Sequence, residues 1–599
     1  MQLKKIIGQI KLQYNNPELR KSLPKAISKI PFWISLISIF TIIYDFGFDQ
    51  SNQSQHILNE VYKVALYTGI ASMVLRYSLK KQRPKVKAWP YDLLLLAITS
   101  LVLFNLTGHW DVDFFQHWNV IYSTLFLLFI REFSTLQIDI NRRFLNPAQL
   151  FVLSFSVIII SGALLLMLPR ATHEGISFMN ALFTATSAVC VTGLAVVDTG
   201  QYFTVFGQTI IIVLIQIGGL GIMTFTSYFS YFFRGGASYE NQLQLQEMTN
   251  TERIADVFST LKKIIILTFL IEALGAIFIY FSLDKALFES GTERTFFAIF
   301  HSISAFCNAG FSTLSNSLYQ VGFRFNYPLH LIVSGLFIIG GLGFPIIFNS
   351  YNYFKHILKN RIFAFNKERR KIHVPWVVNI NTRIVLITTI ILLVSATGMF
   401  LLFEYDNTLG EHSFLGKVVT AFFGAATPRT AGFNSIDTAA MAFPTIMLVM
   451  LLMWIGASPG STGGGIKTST IAVATLNYLS VARGKDRIEV FNREVGQYSV
   501  RRAFAIISLS LVVIGAAIFL ISYFEDEMTL MSIAFECFSA YSTSGLSLGI
   551  TADLSAASKL VIIGTMFIGR VSMLTILIAI LKRVNHLAYR YPTEEISIN

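Results

Sequence analysis

Thr186-Ser-Ala-Val-Cys-Val-Thr-Gly-Leu194 is the stretch whose reading decides the fold, because it returns three more times. Ser304-Ala-Phe-Cys-Asn-Ala-Gly310-Phe311, Ala426-Thr-Pro-Arg-Thr-Ala-Gly432-Phe433 and Ser539-Ala-Tyr-Ser-Thr-Ser-Gly545-Leu546 share its small-residue run ending in Gly. Their glycines lie 117, 122 and 113 residues apart, a period that must be settled before any local reading. A second landmark follows each Gly by 25, 30, 24 and 24 residues: Ile217-Gly218-Gly219, Ile339-Gly340-Gly341, Ile455-Gly456-Ala457 and Ile568-Gly569-Arg570. Each unit therefore reads as helix, re-entrant helix, short extended segment, helix.

Working outward, apolar blocks flank every unit. Of 599 residues, 53% are hydrophobic and 14% charged, against about a quarter charged in soluble domains. Blocks of about 20 apolar residues match the length a helix needs to cross a bilayer. Four come first, near 31–48, 58–77, 89–107 and 114–132. Eight longer ones follow, near 146–169, 203–233, 260–283, 328–353, 379–404, 443–476, 501–524 and 557–582. Twelve spans put both termini on one side. The net charge of +13 reflects Lys and Arg confined between spans, in 1–30, 76–87, 355–383 and 483–502, and not a nucleic-acid surface. By the positive-inside rule these segments and both termini are cytoplasmic. The first block lacks a small-residue cleavage site and reads as a retained helix. The three cysteines, Cys190, Cys307 and Cys537, show no CxxC spacing and indicate neither disulfide framework nor zinc site.

Non-helical backbone cannot face lipid, but it can line a water-filled cavity. Four such segments around one axis would make a ring of carbonyl oxygens able to replace a cation's hydration shell. Gly gives the φ > 0 geometry that aims carbonyls inward. The expected fold is therefore an all-α polytopic membrane protein: four pseudo-repeated helix–pore loop–helix units around one pore, plus four extra N-terminal transmembrane helices. The expected divisions are 1–140, 141–235, 236–355, 356–482, 483–585 and a tail, 586–599.

These motifs, with Gln216-Ile-Gly-Gly-Leu-Gly221, Gly340-Gly-Leu-Gly-Phe-Pro345 and Ser458-Pro-Gly-Ser-Thr-Gly-Gly-Gly-Ile-Lys-Thr468, resemble the bacterial Trk/Ktr potassium-uptake family over about 144–585. The resemblance implies a K⁺ filter built by Val191, Thr192, Gly193, Asn308, Ala309, Gly310, Thr430, Ala431, Gly432, Thr543, Ser544 and Gly545. It implies a pore within each monomer, a homodimer in the bacterial inner membrane, and a cytosolic TrkA/KtrA-like nucleotide-binding subunit. It implies no cofactor in this chain, with K⁺ as cargo. Gly193, where a Ser accompanies Na⁺ preference in the plant branch, favours K⁺; a Na⁺-carrying or Na⁺-coupled member is the alternative. Channel and coupled symport both fit the residues.

Pro and Gly should break the third unit's last span across Ala457, Ser458, Pro459, Gly460, Ser461, Thr462, Gly463, Gly464 and Gly465. The resemblance makes this an intramembrane gate loop. Only the third unit shows so marked a break. Arg570, an isolated mid-span charge, is expected to face the pore and touch this loop. Lys467 is expected to snorkel from the cytoplasmic end, and Arg429 to pair with an acid on a neighbouring segment. Asp198 and Asp437 read either as outer-mouth attractors of cations or as caps. Gly463-Gly-Gly-Ile-Lys-Thr-Ser469 lacks P-loop spacing and any preceding strand. The first four blocks carry no arginine ladder, with Lys63 and Asp92 isolated, so they read as packing or dimer contacts, not a voltage sensor. Glu272 and Arg570 form no catalytic constellation, which argues against an enzyme.

Overall fold

The computed structural model describes residues 30–78, 89–107, 118–135, 147–221, 257–365 and 378–580. Both termini and the basic stretches at 79–88 and 366–377 lie outside the described residues, as does the acidic pair Asp111 and Asp113. Close contacts divide the chain into two units.

The first unit contains α1 (Ile30–Gly47), α2 (Asn52–Ser78), α3 (Trp89–Leu106) and α4 (Trp118–Thr135). Its core is a stripe of Tyr62, Leu66, Met73, Val102, Ile121, Leu125 and Leu128. Polar groups are knotted at either end of it. At one end Asp45 accepts the hydroxyls of Tyr62 and Tyr122 at 2.9 and 2.6 Å. At the other, Asp92 is not isolated: it takes a bidentate pair from Arg131 at 2.5 and 2.6 Å and the Tyr77 hydroxyl at 2.7 Å. Beside it Arg76 pairs with Glu132, which also accepts Ser72 at 3.0 Å. Lys63 pairs with Glu60 one turn away. Sequence distance hid these partners, because Asp92 and Arg131 meet only after two helices have packed. No described charge in this unit is stacked in a ladder.

The second unit holds the four repeats. In the first, α5 (Pro147–Leu166), α6 (Phe178–Cys190) and α7 (Val205–Gly219) follow one another. The second comprises α8 (Val257–Ser282), α9 (Gly291–Phe306), α10 (Tyr327–Leu342) and α11 (Phe344–Phe365). The third comprises α12 (Ile380–Glu404), α13 (Phe414–Ala426), α14 (Phe443–Trp454) and α15 (Thr468–Ala482). The fourth comprises α16 (Gln497–Phe524), α17 (Leu530–Ser542), α18 (Ala556–Val571) and α19 (Met573–Ile580). Between α15 and α16 the chain makes a small hairpin, β1 (Glu489–Val490) and β2 (Arg493–Glu494). Its two turn residues, Phe491 and Asn492, both have positive φ, as a two-residue hairpin whose twist matches its strands requires.

The short helices α6, α9, α13 and α17 stand at the four positions expected of the re-entrant helices. Each begins on a hydroxyl cap, where Ser177, Ser290, Ser413 and Thr529 accept an amide from the first turn. These caps supply the partner that the free N–H groups at a helix start otherwise lack. The long first helices turn apolar side chains outward, among them Phe281, Val394, Leu402 and Phe519, as a lipid-facing surface does.

Among the described residues α1, α3, α8, α12 and α16 are each long and apolar enough to cross a membrane, and α10 with α11 makes a sixth if the bent pair is one span. One expectation needs correction: the third repeat is not alone in being broken. The pair α10/α11 bends by 100° at Gly343 (φ +86°). The α18/α19 pair breaks at Ser572 (φ +73°). Gly340-Gly-Leu-Gly-Phe-Pro345 punctuates the first of these breaks, but nothing comparable marks the second, where one left-handed residue suffices to stop the helix.

Replacing Arg131 by Gln should leave the Asp92 carboxylate buried without its partner, at a cost of about 3–5 kcal/mol. Thermal unfolding in detergent should show a clear fall for Arg131→Gln and partial recovery for Arg131→Gln with Asp92→Asn. Equal melting of all three forms would contradict the buried pair.

Candidate functional site

After each re-entrant helix the chain turns through the same backbone pattern. The residue two before each repeat glycine is left-handed: Val191 (φ 56°), Asn308 (62°), Thr430 (78°) and Thr543 (53°). The glycines are left-handed too: Gly193 (93°), Gly310 (68°), Gly432 (77°) and Gly545 (85°). The first set are ordinary L-residues, two of them Thr and one Val, for which this conformation costs about 1–2 kcal/mol each. The same costly geometry at four equivalent places marks a constrained site.

The amides of these segments are satisfied from behind. Thr192, Ala309 and Ser544 donate to Ser187, Ser304 and Ser539 of their own re-entrant helices at 2.7–2.9 Å. In the third repeat, where Pro428 alters the approach, Ala431 donates to Thr427 at 2.9 Å. Hydroxyls add to this brace. Ser187 accepts the Gly193 amide at 3.1 Å, while Ser304 and Thr427 donate to the carbonyls of Phe311 and Phe433.

The carbonyls point the other way and close a ring. A Cβ on Gly193 would lie 2.5 Å from the Ala309 carbonyl oxygen. One on Gly310 would meet that of Ala431 at 2.9 Å, and one on Gly432 that of Ser544 at 2.6 Å. One on Gly545 would strike that of Thr192, which returns to the first repeat. All four glycines line a single vestibule of ≈ 410 Å³. Asp198 and Asp437 line it as well, but their carboxylates are engaged in local turns. Asp198 caps a short helix through Gly200 and Gln201, and Asp437 accepts the Ala439 amide at 3.0 Å.

The second landmark glycines let the following helices press against the inner ends of the re-entrant helices. Cβ atoms on Gly218, Gly340 and Gly569 would strike the carbonyl oxygens of Val189, Phe306 and Tyr541, each four residues before its repeat glycine. Gly456 departs from this pattern and packs on the Gly464 carbonyl, because the segment 457–465 folds back there.

That segment lies under the ring. Ser458 and Thr462 amides donate to the carbonyls of Gly341 and Gly340, and the Gly460 carbonyl accepts Phe344 at 3.1 Å. The Thr462 hydroxyl meets the Phe306 carbonyl and the Asn308 amide oxygen at 3.3 and 3.1 Å. The Gly464 amide donates to the Thr543 hydroxyl at 3.0 Å, and a Cβ on Gly463 would hit the Thr430 hydroxyl. The segment thus abuts the left-handed residues of repeats two, three and four. Arg570 completes the enclosure: its guanidinium donates to the Thr462 carbonyl of this segment and, at 2.5 Å, to the Gly218 carbonyl of repeat one.

Lys467 does not snorkel. Its ammonium curls back onto the carbonyls of Gly463 and Gly464 at 2.6 and 3.4 Å, because the break places it one turn from these loop acceptors. Arg429 pairs with no acid among the described residues. It borders a small crevice with Thr389, Gly341 and Ala457, and its Nε has no partner. Glu272, which the sequence left without a constellation, accepts the Gln216 side chain at 3.1 and 3.2 Å and the Cys307 thiol at 3.6 Å. The repeat offset marks all these landmarks, but nothing local in the sequence marks the Gln216–Glu272 link. No group of His, Cys, Asp or Glu among the described residues could hold a metal ion.

Comparison with known proteins finds relatives over most of the chain. The family model of the TrkH cation transport proteins matches residues 117–587, so the likeness begins well before 144 and takes in α4. The Ktr system potassium uptake protein B of Bacillus subtilis is 37% identical over 454 residues, covering 75% of this chain and 96% of the relative. Its namesake from Vibrio alginolyticus is 38% identical over 452 residues, covering 75% and 94%. The potassium/sodium uptake protein NtpJ of Enterococcus hirae is 35% identical over 467 residues, covering 76% and 98%. The crystal structure of the potassium transporter TrkH from Vibrio parahaemolyticus superposes with a TM-score of 0.57 at 18% identity, covering 88% of this chain and 97% of that one. With its fourfold ring of glycines and its match across most of its length, this membrane-embedded chain belongs to the TrkH family of cation transport proteins.

Proposed function

We propose that this chain takes up K⁺ across the plasma membrane through the ring of filter segments, and that 457–465 with Arg570 forms its gate. The observation that carries the reading is the closed cycle of left-handed glycines and carbonyls: Gly193 on Ala309, Gly310 on Ala431, Gly432 on Ser544 and Gly545 on Thr192. Carbonyl oxygens in such a ring can exchange for the water shell of a cation. The four re-entrant helices end at this ring, and each contributes about half a negative charge there. The proposed ion-binding residues are Val191, Thr192 and Gly193 with their counterparts in the other three repeats. The potassium named in the relatives supports K⁺ as the cargo.

Below the filter, segment 457–465 occupies the path and Arg570 adds a positive charge beside it. Two like unit charges ~4 Å apart repel by about 4 kcal/mol at an effective dielectric of 20, enough to oppose a permeating cation strongly. Opening would require the segment to leave Gly340, Gly341 and Thr543. The relatives named as parts of a Ktr system support the further reading that a cytosolic subunit drives that movement, with the chain working as a homodimer. A second reading, Na⁺ carried with or beside K⁺, is favoured by the relative named a potassium/sodium uptake protein.

Rubidium uptake into proteoliposomes holding the purified full chain tests the proposal. Wild type should pass Rb⁺ in preference to Na⁺; equal passage would favour the second reading, and no passage of either would sink transport through this ring. Gly193→Ser should cut Rb⁺ uptake by on the order of tenfold or more, because its Cβ collides with the Ala309 carbonyl. Rb⁺ uptake in Gly193→Ser equal to wild type would remove this segment from the pathway. Arg570→Ala should raise uptake by on the order of tenfold without any cytosolic partner. Unchanged uptake in that variant would dismiss the gate role.

A further inference from the structure

The fourfold ring is held from behind by a twofold device. Nine residues before the filter glycines, on the four re-entrant helices, stand Thr184, His301, Phe423 and Glu536. Two residues after the glycines, at the vestibule side, stand Ala195, Ser312, Asn434 and Ser547. In repeats two and four these positions are joined. His301 Nε2 lies 2.9 Å from the Ser312 hydroxyl. The other ring nitrogen, Nδ1, lies 2.9 Å from the Phe297 carbonyl, which can only accept. Nδ1 therefore carries the hydrogen, and in the neutral ring Nε2 accepts from Ser312. The Ser312 oxygen in turn accepts the Leu314 amide at 3.0 Å.

The fourth repeat repeats the joint with a carboxylate. Glu536 Oε1 accepts the Ser547 hydroxyl at 3.2 Å and also the Thr551 hydroxyl, and those two hydroxyls are 3.0 Å apart. Glu536 is 1% exposed and its Oε2 has no partner. Ser312, Ser547 and Thr551 all line the vestibule that the four glycines share. In repeats one and three the joint is missing. The Thr184 hydroxyl returns to the Asn180 carbonyl of its own helix, and Phe423 has no polar group to offer. The glycine contacts order the ring one, two, three, four, so the two joined repeats face each other across it.

A buried carboxylate and a buried imidazole placed at diagonal positions, each tied to the residue that leaves the filter, are costly unless they hold something in place. We propose that Glu536 and His301 are specificity-determining positioning residues, which buckle Ser547 and Ser312 to the re-entrant helices and so fix the filter width that separates K⁺ from Na⁺. The buckle reaches sideways as well. The Ser547 carbonyl accepts the Thr438 hydroxyl of repeat three at 2.6 Å, so its position is shared with a neighbouring segment. Neither residue touches the ion; each acts through the serine it holds. This inference rests on the reading of the ring as a K⁺ filter.

The test is competitive Rb⁺ and Na⁺ uptake into proteoliposomes by the full chain, with Glu536→Ala, Ser547→Ala, Ser312→Ala and Glu536→Gln. Ser547→Ala and Ser312→Ala each delete one hydroxyl and leave the buried groups and the fold in place. Both, with Glu536→Ala, should lower the Rb⁺/Na⁺ uptake ratio by on the order of tenfold, the loss of one or two hydrogen bonds to a buried group. Glu536→Gln keeps the Oε1 acceptor and should restore most of the ratio, which a merely space-filling role would not require. Thr184→Ala, at the unjoined position, should leave the ratio unchanged. A selective wild type with the same ratio in Ser547→Ala and Ser312→Ala overturns this inference alone. A wild type that passes no cation overturns transport through the ring and this inference with it, and one that passes Rb⁺ and Na⁺ equally favours the second reading of the ring and removes this inference.

Discussion

The structure depends on one constraint: four stretches of non-helical backbone lie where no lipid can satisfy an amide. The solution is the same in every repeat. The amide before each filter glycine is turned back onto its own re-entrant helix, and the matching carbonyl abuts the glycine of the preceding repeat, with Thr192 of the first meeting Gly545 of the fourth. That separation of donors from acceptors needs left-handed backbone at two places, and Val191, Asn308, Thr430 and Thr543 accept it despite their side chains. In the proposed reading, this ring of carbonyls takes the place of water around a cation. The helices that follow hold the arrangement by packing glycine directly on re-entrant carbonyls, as Gly218, Gly340 and Gly569 do. A methyl group at any of these would push the helix outward, so the glycines of the second landmark serve packing, while those of the first serve conformation.

Departures from fourfold symmetry lie on both sides of the ring and differ in kind. On the vestibule side, repeats two and four carry His301 and Glu536 where repeats one and three have Thr184 and Phe423. On the other side, the third repeat spends its second landmark on segment 457–465, and the fourth supplies Arg570. The guanidinium reaches a carbonyl of that segment and one of repeat one, so the four inner ends are linked through backbone hydrogen bonds, the Thr462 and Thr543 hydroxyls and this guanidinium. Carbonyl partners suit a residue of this kind. They satisfy the guanidinium without a carboxylate, leaving its positive charge uncompensated beside the proposed path.

The repeat was legible in the sequence because glycine is scarce in alternatives: no other residue fits the backbone at 193, 310, 432 and 545 without meeting a neighbour's carbonyl. The break at 457–465 was legible because Pro and clustered Gly exclude helix. The break at Gly343 carried a smaller mark of the same kind, Gly340-Gly-Leu-Gly-Phe-Pro345, while the break at Ser572 carried none, since a single left-handed Ser inside an apolar run leaves no compositional trace. Charges were the least legible. Asp92 and Arg131 are 39 positions apart and meet only through packing. Lys467 meets the Gly463 and Gly464 carbonyls only because the chain folds back. Arg429 was expected to find an acid and instead borders Thr389 and Gly341. The link of Glu536 to Ser547 spans 11 positions, and only the register between repeats reveals that His301 and Ser312 form its counterpart.

The central claim is that the four carbonyls before the filter glycines form one cation site. Crystals of the full chain grown in rubidium and measured at the rubidium absorption edge test it most directly. The account expects anomalous density on the ring axis, within coordination distance of the Thr192, Ala309, Ala431 and Ser544 carbonyl oxygens. Rubidium bound elsewhere in the protein while this ring stays without density would contradict it.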